Sequence, residues 1–435
     1  YVNNKSRAKF LFYQNCIANM IIINLILDFY GDNIQSEAWQ LNEILHKYTF
    51  SFFFHSENIK LLERILKTNI VDLNYHNDKY TLLTYACQKN WNEIFSFLIN
   101  SDRCDVNLCQ QSDGNTALMV AIESYQIQMA NLLVNSPRTD INLRNHNNET
   151  ALTIAVKRSF FKIVDLIINN EKFDPKKSRL DYAFSIANSE IAKKMIKIKD
   201  LNVNYKYSYN DEQRKYINFG FYSHGTSLTQ AVADNNFEKV EMIIQHPGFD
   251  PIQSQVNLAI FVAVSYNYVD IFNRLLPLIN NDINIYSPKD ESLLVVASRS
   301  FAKDIIHQII TSPNFDVSKS QIDKAFMSLF QNSAFNKTII TDIAEELYEI
   351  DQQHSKLIDF TTLLPNGKSF FTGTYNSKNY FQYLVKHNAN PDLPDINGKY
   401  PLQIAIESSD IDAFNALINS GKVDLTRKIR GKDVN

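Results

Sequence analysis

One six-residue pattern, Thr-x-Leu-x-x-Ala, returns along the chain at near-constant spacing, and it limits the fold more than any other feature. It reads Thr81-Leu82-Leu83-Thr84-Tyr85-Ala86, Thr116-Ala117-Leu118-Met119-Val120-Ala121 and Thr150-Ala151-Leu152-Thr153-Ile154-Ala155. It returns at Thr226-Ser227-Leu228 through Ala231 and, with serine leading, at Ser292-Leu293-Leu294 through Ala297. Weaker copies begin at Ser178, Leu258, Ser320, Ser369 and Tyr400, and a frayed one at Tyr48. A repeat that cannot close a core alone must bury its apolar faces on its neighbours, so a stack of short units is expected.

Each copy continues on the same plan. The ninth position after the threonine holds Asn90, Ser159, Asn235, Asn267 or Ser409, and asparagine tolerates the left-handed conformation that turns the chain between helices. A second, more apolar helix follows, as in Ile163–Ile168 and Val240–Ile244. In three copies Pro137, Pro247 and Pro313 stand 21 residues after the leading residue, where the ring ends a helix. A short extended element comes next, such as Asp105-Val106-Asn107, Asp140-Ile141-Asn142 or Asp282-Ile283-Asn284, and a polar turn leads into the next copy.

A unit of helix, turn, helix and finger spaced mostly 31 to 35 residues apart resembles the ankyrin repeat, in a degenerate, protist-type form. The resemblance covers about residues 48 to 435. It departs from the family's Thr-Pro-Leu-His-x-Ala: only Tyr400-Pro401-Leu402 keeps the proline, and Thr84, Met119, Thr153, Thr229, Val295 and Gln403 replace the histidine. The resemblance implies an all-α ankyrin-repeat solenoid of about 10 to 11 repeats, acting as a non-catalytic protein-interaction scaffold. The starts at 150, 178, 226 and 258 are repeated at 292, 320, 369 and 400, offsets of 142, 142, 143 and 142 residues, so a four-repeat block (about 150–291 and 292–430) is duplicated. Its two long inserts, near 202–224 and 340–368, are expected to be equivalent long fingers. Residues 1–47 are expected to form an N-terminal helical cap or the remnant of an upstream region.

Composition narrows the function classes. With 44 basic and 47 acidic residues the formal charge is −3, which argues against nucleic-acid or anionic-membrane partners. Hydrophobic residues make up 45%, enough for a large core. Four cysteines do not staple a secreted fold, so a reducing, intracellular compartment, the cytoplasm, is expected. The most apolar stretch, Phe10 to Tyr30, is broken by Gln14, Asn15, Asn19, Asn24 and Asp28, so no membrane segment is expected. Leu364-Pro365-Asn366-Gly367-Lys368-Ser369 lacks the first glycine of a phosphate loop. The cysteines and nine histidines lack metal-ligand spacing, and no nucleophile elbow is present. The expectation is no enzyme, no cofactor, no metal and a monomer.

The resemblance places partner contacts on finger tips and on the exposed side of first helices. By register these are Ser112, Asp113, Asn115 and Glu123; then His146, Asn147, Lys157 and Arg158; then Tyr266, Lys289 and Arg299. Tyrosine and arginine are the types most enriched at interface hot spots. Tyr205, Tyr207 and Tyr209, on the first insert, are aromatic candidates for partner contact, set against packing within the finger as the simpler reading. The partner is expected to be an unidentified protein. The alternative is a tether or regulatory arm of a larger protein whose enzyme or membrane part lies outside this chain.

Overall fold

In the computed structural model the described residues are 66, 72–74, 79–208, 224–329, 337–354, 356–361, 363, 367–373 and 383–426. Expectations for residues 1–47 and for residues 209–223, Tyr209 among them, lie outside them. The chain divides into two compact units, before and after the Val203–Asn204 bond.

The first unit holds α1 (Leu82–Lys89), α2 (Asn92–Asn100), α3 (Ala117–Glu123), α4 (Ile127–Asn135), α5 (Ala151–Lys157), α6 (Phe161–Ile168), α7 (Leu180–Ile186) and α8 (Ser189–Met195). First helices stack on first helices (α1 on α3, α3 on α5, α5 on α7), and second helices stack on second helices (α2, α4, α6, α8). The second unit opens with strands β1 (Lys206–Ser208) and β2 (His224–Thr226). It continues through α9 (Ser227–Ala233), α10 (Phe237–Ile244), α11 (Val256–Ser265), α12 (Val269–Leu275), α13 (Leu293–Arg299) and α14 (Lys303–Thr311). It ends with α15 (Ile322–Ser328), α16 (Lys337–His354), α17 (Phe370–Gly373), α18 (Pro401–Glu407) and α19 (Ile411–Asn419). The same alternate stacking joins α9, α11, α13 and α15, and α10, α12, α14 and α16.

Where threonine leads, it starts the first helix because its hydroxyl accepts an N–H bond that the helix end would otherwise leave unmade. Thr81, Thr150 and Thr226 Oγ1 accept from the N–H of Thr84, Thr153 and Thr229 at 3.1, 3.2 and 3.2 Å. Those second threonines return the bond to the cap N–H at 2.9, 2.8 and 2.7 Å, closing a capping box. The loss of the family histidine is therefore compensated locally in these three copies. The turn after the first helix is left-handed at Asn90, Ser159, Asn235, Asn267 and Ser409, as the spacing implies. It is also left-handed at Tyr125 and Phe301, where an aromatic occupies a conformation that a side chain with a Cβ rarely adopts.

Fingers are strapped to one another by asparagine side chains. Asn107 Nδ2 donates to the Arg138 carbonyl (2.9 Å) while its Oδ1 accepts from Asp140 N–H (2.7 Å). Asn74, Asn142, Asn204 and Asn284 repeat the pair of bonds one repeat onward, to Arg103 and Asp105, Lys172 and Asp174, Gly248 and Asp250, and Asn314 and Asp316. Three fingers carry a second device: the hydroxyls of Thr150, Thr226 and Ser292 donate to the carbonyls of Ser178, Ser254 and Ser320. Each of these serines precedes a left-handed residue, Arg179, Gln255 or Gln321, that opens α7, α11 or α15. On its finger side the copy expected to begin at Leu258 is thus in register at Ser254, and Leu258 lies inside the longer helix α11, whose closing turn at Asn267 keeps the spacing from Leu258.

The two inserts differ. The ends of the first pair as an antiparallel hairpin, Lys206 opposite Thr226 and Ser208 opposite His224. At the second, the long finger expected near 340–368 is instead helix α16 up to His354. Ile340, Ile343, Ala344 and Leu347 recur at helical spacing and are buried. The buried Asp351 carboxylate then turns the chain back by accepting the N–H groups of Leu357 and Ile358, both at 2.9 Å.

Candidate functional site

The finger tips and first helices of the first unit gather Ser112, Asp113, Asn115, Glu123, His146, Asn147, Lys157 and Arg158. A single geometric slot organises three of them, Asn115, Glu123 and Lys157: the residue before the helix cap pairs with the residue seven beyond it. Asn115 Nδ2 donates to Glu123 at 3.1 Å, and Lys157 donates to Glu149. In the second unit Arg299 Nη1 meets Glu291 at 3.1 Å and Lys399 meets Glu407 at 2.8 Å. Chemistry in the slot varies from repeat to repeat, amide–acid, acid–base, acid–base and base–acid, beside a hydroxyl cap in the first three (Thr116, Thr150, Ser292) and beside Tyr400, which makes no side-chain cap bond, in the fourth. The three ion pairs lie at the surface, where water screens them and they add little to stability, so the fold does not require these charges.

Asn115 is buried, which corrects its reading as a contact residue. Its amide bridges Asp113 (3.1 Å) to Glu123, and its own oxygen accepts from the buried Asn145 amide at 2.8 Å. The Glu123 carboxyl is held above the usual carboxylate range, first by burial and then by the negative charges of Glu149 and Asp113. His146 and Asn147 are exposed on the next finger tip. His146 packs on Gly114, whose φ of +74° leaves a Cβ no room: it would lie 2.7 Å from His146 Cδ2. The Ser112 hydroxyl reaches the Lys79 carbonyl at 3.4 Å.

Arg158 is joined to a residue the sequence reading passed over. Its guanidinium stands 5.3 Å from the ring centre of Tyr125 and donates to the Tyr125 hydroxyl at 3.0 Å. Tyr125 is 59% exposed and meets Phe160 edge-on at 5.2 Å between ring centres. The signal was present: Tyr125 stands nine after Thr116, where five other copies carry asparagine or serine.

In the second unit, Tyr266 is half-buried and stacks on Tyr268 at 5.5 Å, and Lys289 and Arg299 are exposed. Tyr207 is a correction: it is 5% exposed, and its hydroxyl donates to Gln230 at 2.8 Å, because the hairpin turns that face inward onto α9. Tyr205 stacks on it and is half-buried. Lys239, not singled out from sequence, is a fully buried lysine in α10 whose amine burial lowers to about 7, opposed by the charge of Asp234. Cys87 and Cys104 are buried, and burial pushes the Cys104 thiol up to about 12. Among the described residues no group of three or more His, Cys, Asp or Glu side chains could hold a metal, and no helix is long and apolar enough to cross a membrane.

A family model described as ankyrin repeats (3 copies) matches residues 52–145. No curated protein matches the chain. Among solved structures 115 chains match. One belongs to the structure of the Bd0816 predatory endopeptidase from Bdellovibrio bacteriovorus in complex with immunity protein Bd3460. It is 18% identical, with 53% of this chain and 96% of that chain covered and a TM-score of 0.30.

Proposed function

The chain is an ankyrin-repeat protein, and from that premise we propose that it is a non-catalytic docking scaffold, a repeat solenoid that binds a partner protein on its finger and first-helix surface. The observation that carries this reading is the Tyr125–Arg158 pair. An exposed aromatic ring is held in a disfavoured left-handed turn beside an arginine, on a face whose helix caps and straps are regular. Tyrosine and arginine at the centre of such a face supply apolar area and directional donors together. Ser112, Asp113, Glu123, His146, Asn147 and Lys157 surround the pair as the polar rim, while Asn115 positions the carboxylates. In the second unit, taken by itself, Tyr266, Lys289 and Arg299 are the candidate contact residues.

The test is an affinity capture from lysate of the source cell, with this chain and its Tyr125→Ser/Arg158→Glu variant as paired baits. Both side chains are at the surface, so circular dichroism of the two baits is expected to coincide. A protein retained by the first bait and lost by the second supports the reading. Equal retention by both removes the first-unit surface as the docking face.

A further inference from the structure

We propose that a cleft between the fingers on either side of α11 docks a linear peptide segment that carries an aliphatic side chain next to a lysine or arginine. The cleft has a volume of about 700 Å³, and its apolar wall is made by Ile252, Leu258, Ile279, Ile285 and Tyr286. That is room for about two or three side chains.

The wall is a local departure from the repeat. Aligned on the serines before each left-handed cap, Ile252 stands where the sister fingers carry Lys176 and Ser318, and Leu258 where they carry Tyr182 and Lys324. Those fingers close with polar residues at these places, so the stack does not need an isoleucine here. Ile252 is nonetheless 87% exposed on the finger tip. A fully exposed isoleucine rimming an apolar hollow marks a contact surface rather than core packing.

The polar groups at the cleft select the charge of the occupant. Asp282 is the one charged residue lining it. The Gln255 side-chain oxygen is buried with no hydrogen-bond partner among the described residues. Its sister Gln321 is satisfied, accepting from Ser292 N–H and donating to the Asp290 carbonyl, both at 2.9 Å. A carboxylate and an unused amide oxygen both call for a donor, and a cationic side chain beside an aliphatic one meets both walls. None of the lining residues belongs to the surface proposed above, so the two readings fail independently.

The experiment is fluorescence anisotropy of a labelled Gly/Ser-flanked Lys-Leu-Ile peptide titrated with the full chain. A peptide with glutamate for lysine, and the variants Ile252→Ser and Asp282→Asn, serve as comparisons. Asparagine keeps the side-chain oxygen that accepts Asn284 N–H at 2.9 Å, so the finger is retained. The proposal expects saturable binding, at least tenfold weaker for the glutamate peptide and at least fivefold weaker for each variant, with unchanged melting curves. No saturable binding, equal binding of the two peptides, or variants that bind like the parent would overturn it. Self-association in sedimentation that Ile252→Ser abolishes would assign the cleft to a second copy, and equal competition by hexylamine to a small amine. Either result would also overturn the peptide reading.

Discussion

Replacing Lys239 by methionine is expected to stabilise the second unit, by an amount that depends on pH. Lys239 is 0% exposed and is the third residue of α10. The third residue of the other second helices is apolar and buried: Ile94, Met129, Ile163, Ile271 and Ile305. Burial lowers the amine from 10.5 to about 7, and Asp234 opposes that shift only in part. A difference of that size corresponds to about 5 kcal/mol withheld from folding wherever the amine is protonated in both states. The unfolded chain keeps its proton up to the ordinary lysine range while the folded chain releases it near 7, so between those values the unfolded state binds more protons. Stability therefore rises with pH from about 7 to about 10.5, and the deficit is complete below 7. Methionine fills the same site with no charge. Its urea midpoint should exceed the parent's clearly at pH 6, by several kcal/mol once multiplied by the slope, and approach it at pH 10. Hydrogen exchange across α9 to α12 would localise the gain. A methionine variant less stable than the parent at pH 6, or a difference that does not shrink toward pH 10, would refute the reasoning.

Asn142→Ala removes four bonds, to the Lys172 carbonyl (2.8 Å) and the Asp140 carboxylate (3.3 Å), from Asp174 N–H (3.0 Å) and from the Ser178 hydroxyl (2.6 Å). It should destabilise the first unit by about 2–4 kcal/mol in urea unfolding. Tyr125→Gly relieves a left-handed tyrosine and should raise stability by about 1 kcal/mol while weakening partner capture. Gly114→Ala meets both the left-handed φ and the His146 ring, and a thermal melt should show a loss of about 1–3 kcal/mol.

The helix starts, the turn after each first helix and the stacking of short units were legible in the sequence, because each rests on one residue type at a fixed place. Thr150 caps because of its hydroxyl, and Asn235 turns because of its tolerance for positive φ. What escaped depends on neighbours. The Asp-x-Asn elements read as extended segments, but their function as straps requires the next finger to be in place. Tyr125 was passed over because an aromatic is disfavoured where it stands. The Ser254 register was hidden by the unbroken apolar run of α11, which offers no phase to align on. At the second insert, helical spacing in Ile340–Leu347 competed with the expectation of symmetry between the two blocks, and packing decided for the helix. At the candidate surface, Arg158 was found as a type, whereas the burial of Asn115 and Tyr207 follows from where the finger and hairpin face.

Docking of a partner on the finger and first-helix face is the proposal on which the rest depends. A photo-crosslinking residue placed at Tyr125, and separately at Leu132 on α4, would test it most directly in lysate of the source cell. Leu132 is 54% exposed, so both positions present the probe to solvent. A discrete crosslinked product from position 125 and none from position 132 is the expected result. A product from position 132 alone, or the same products from both, would contradict it.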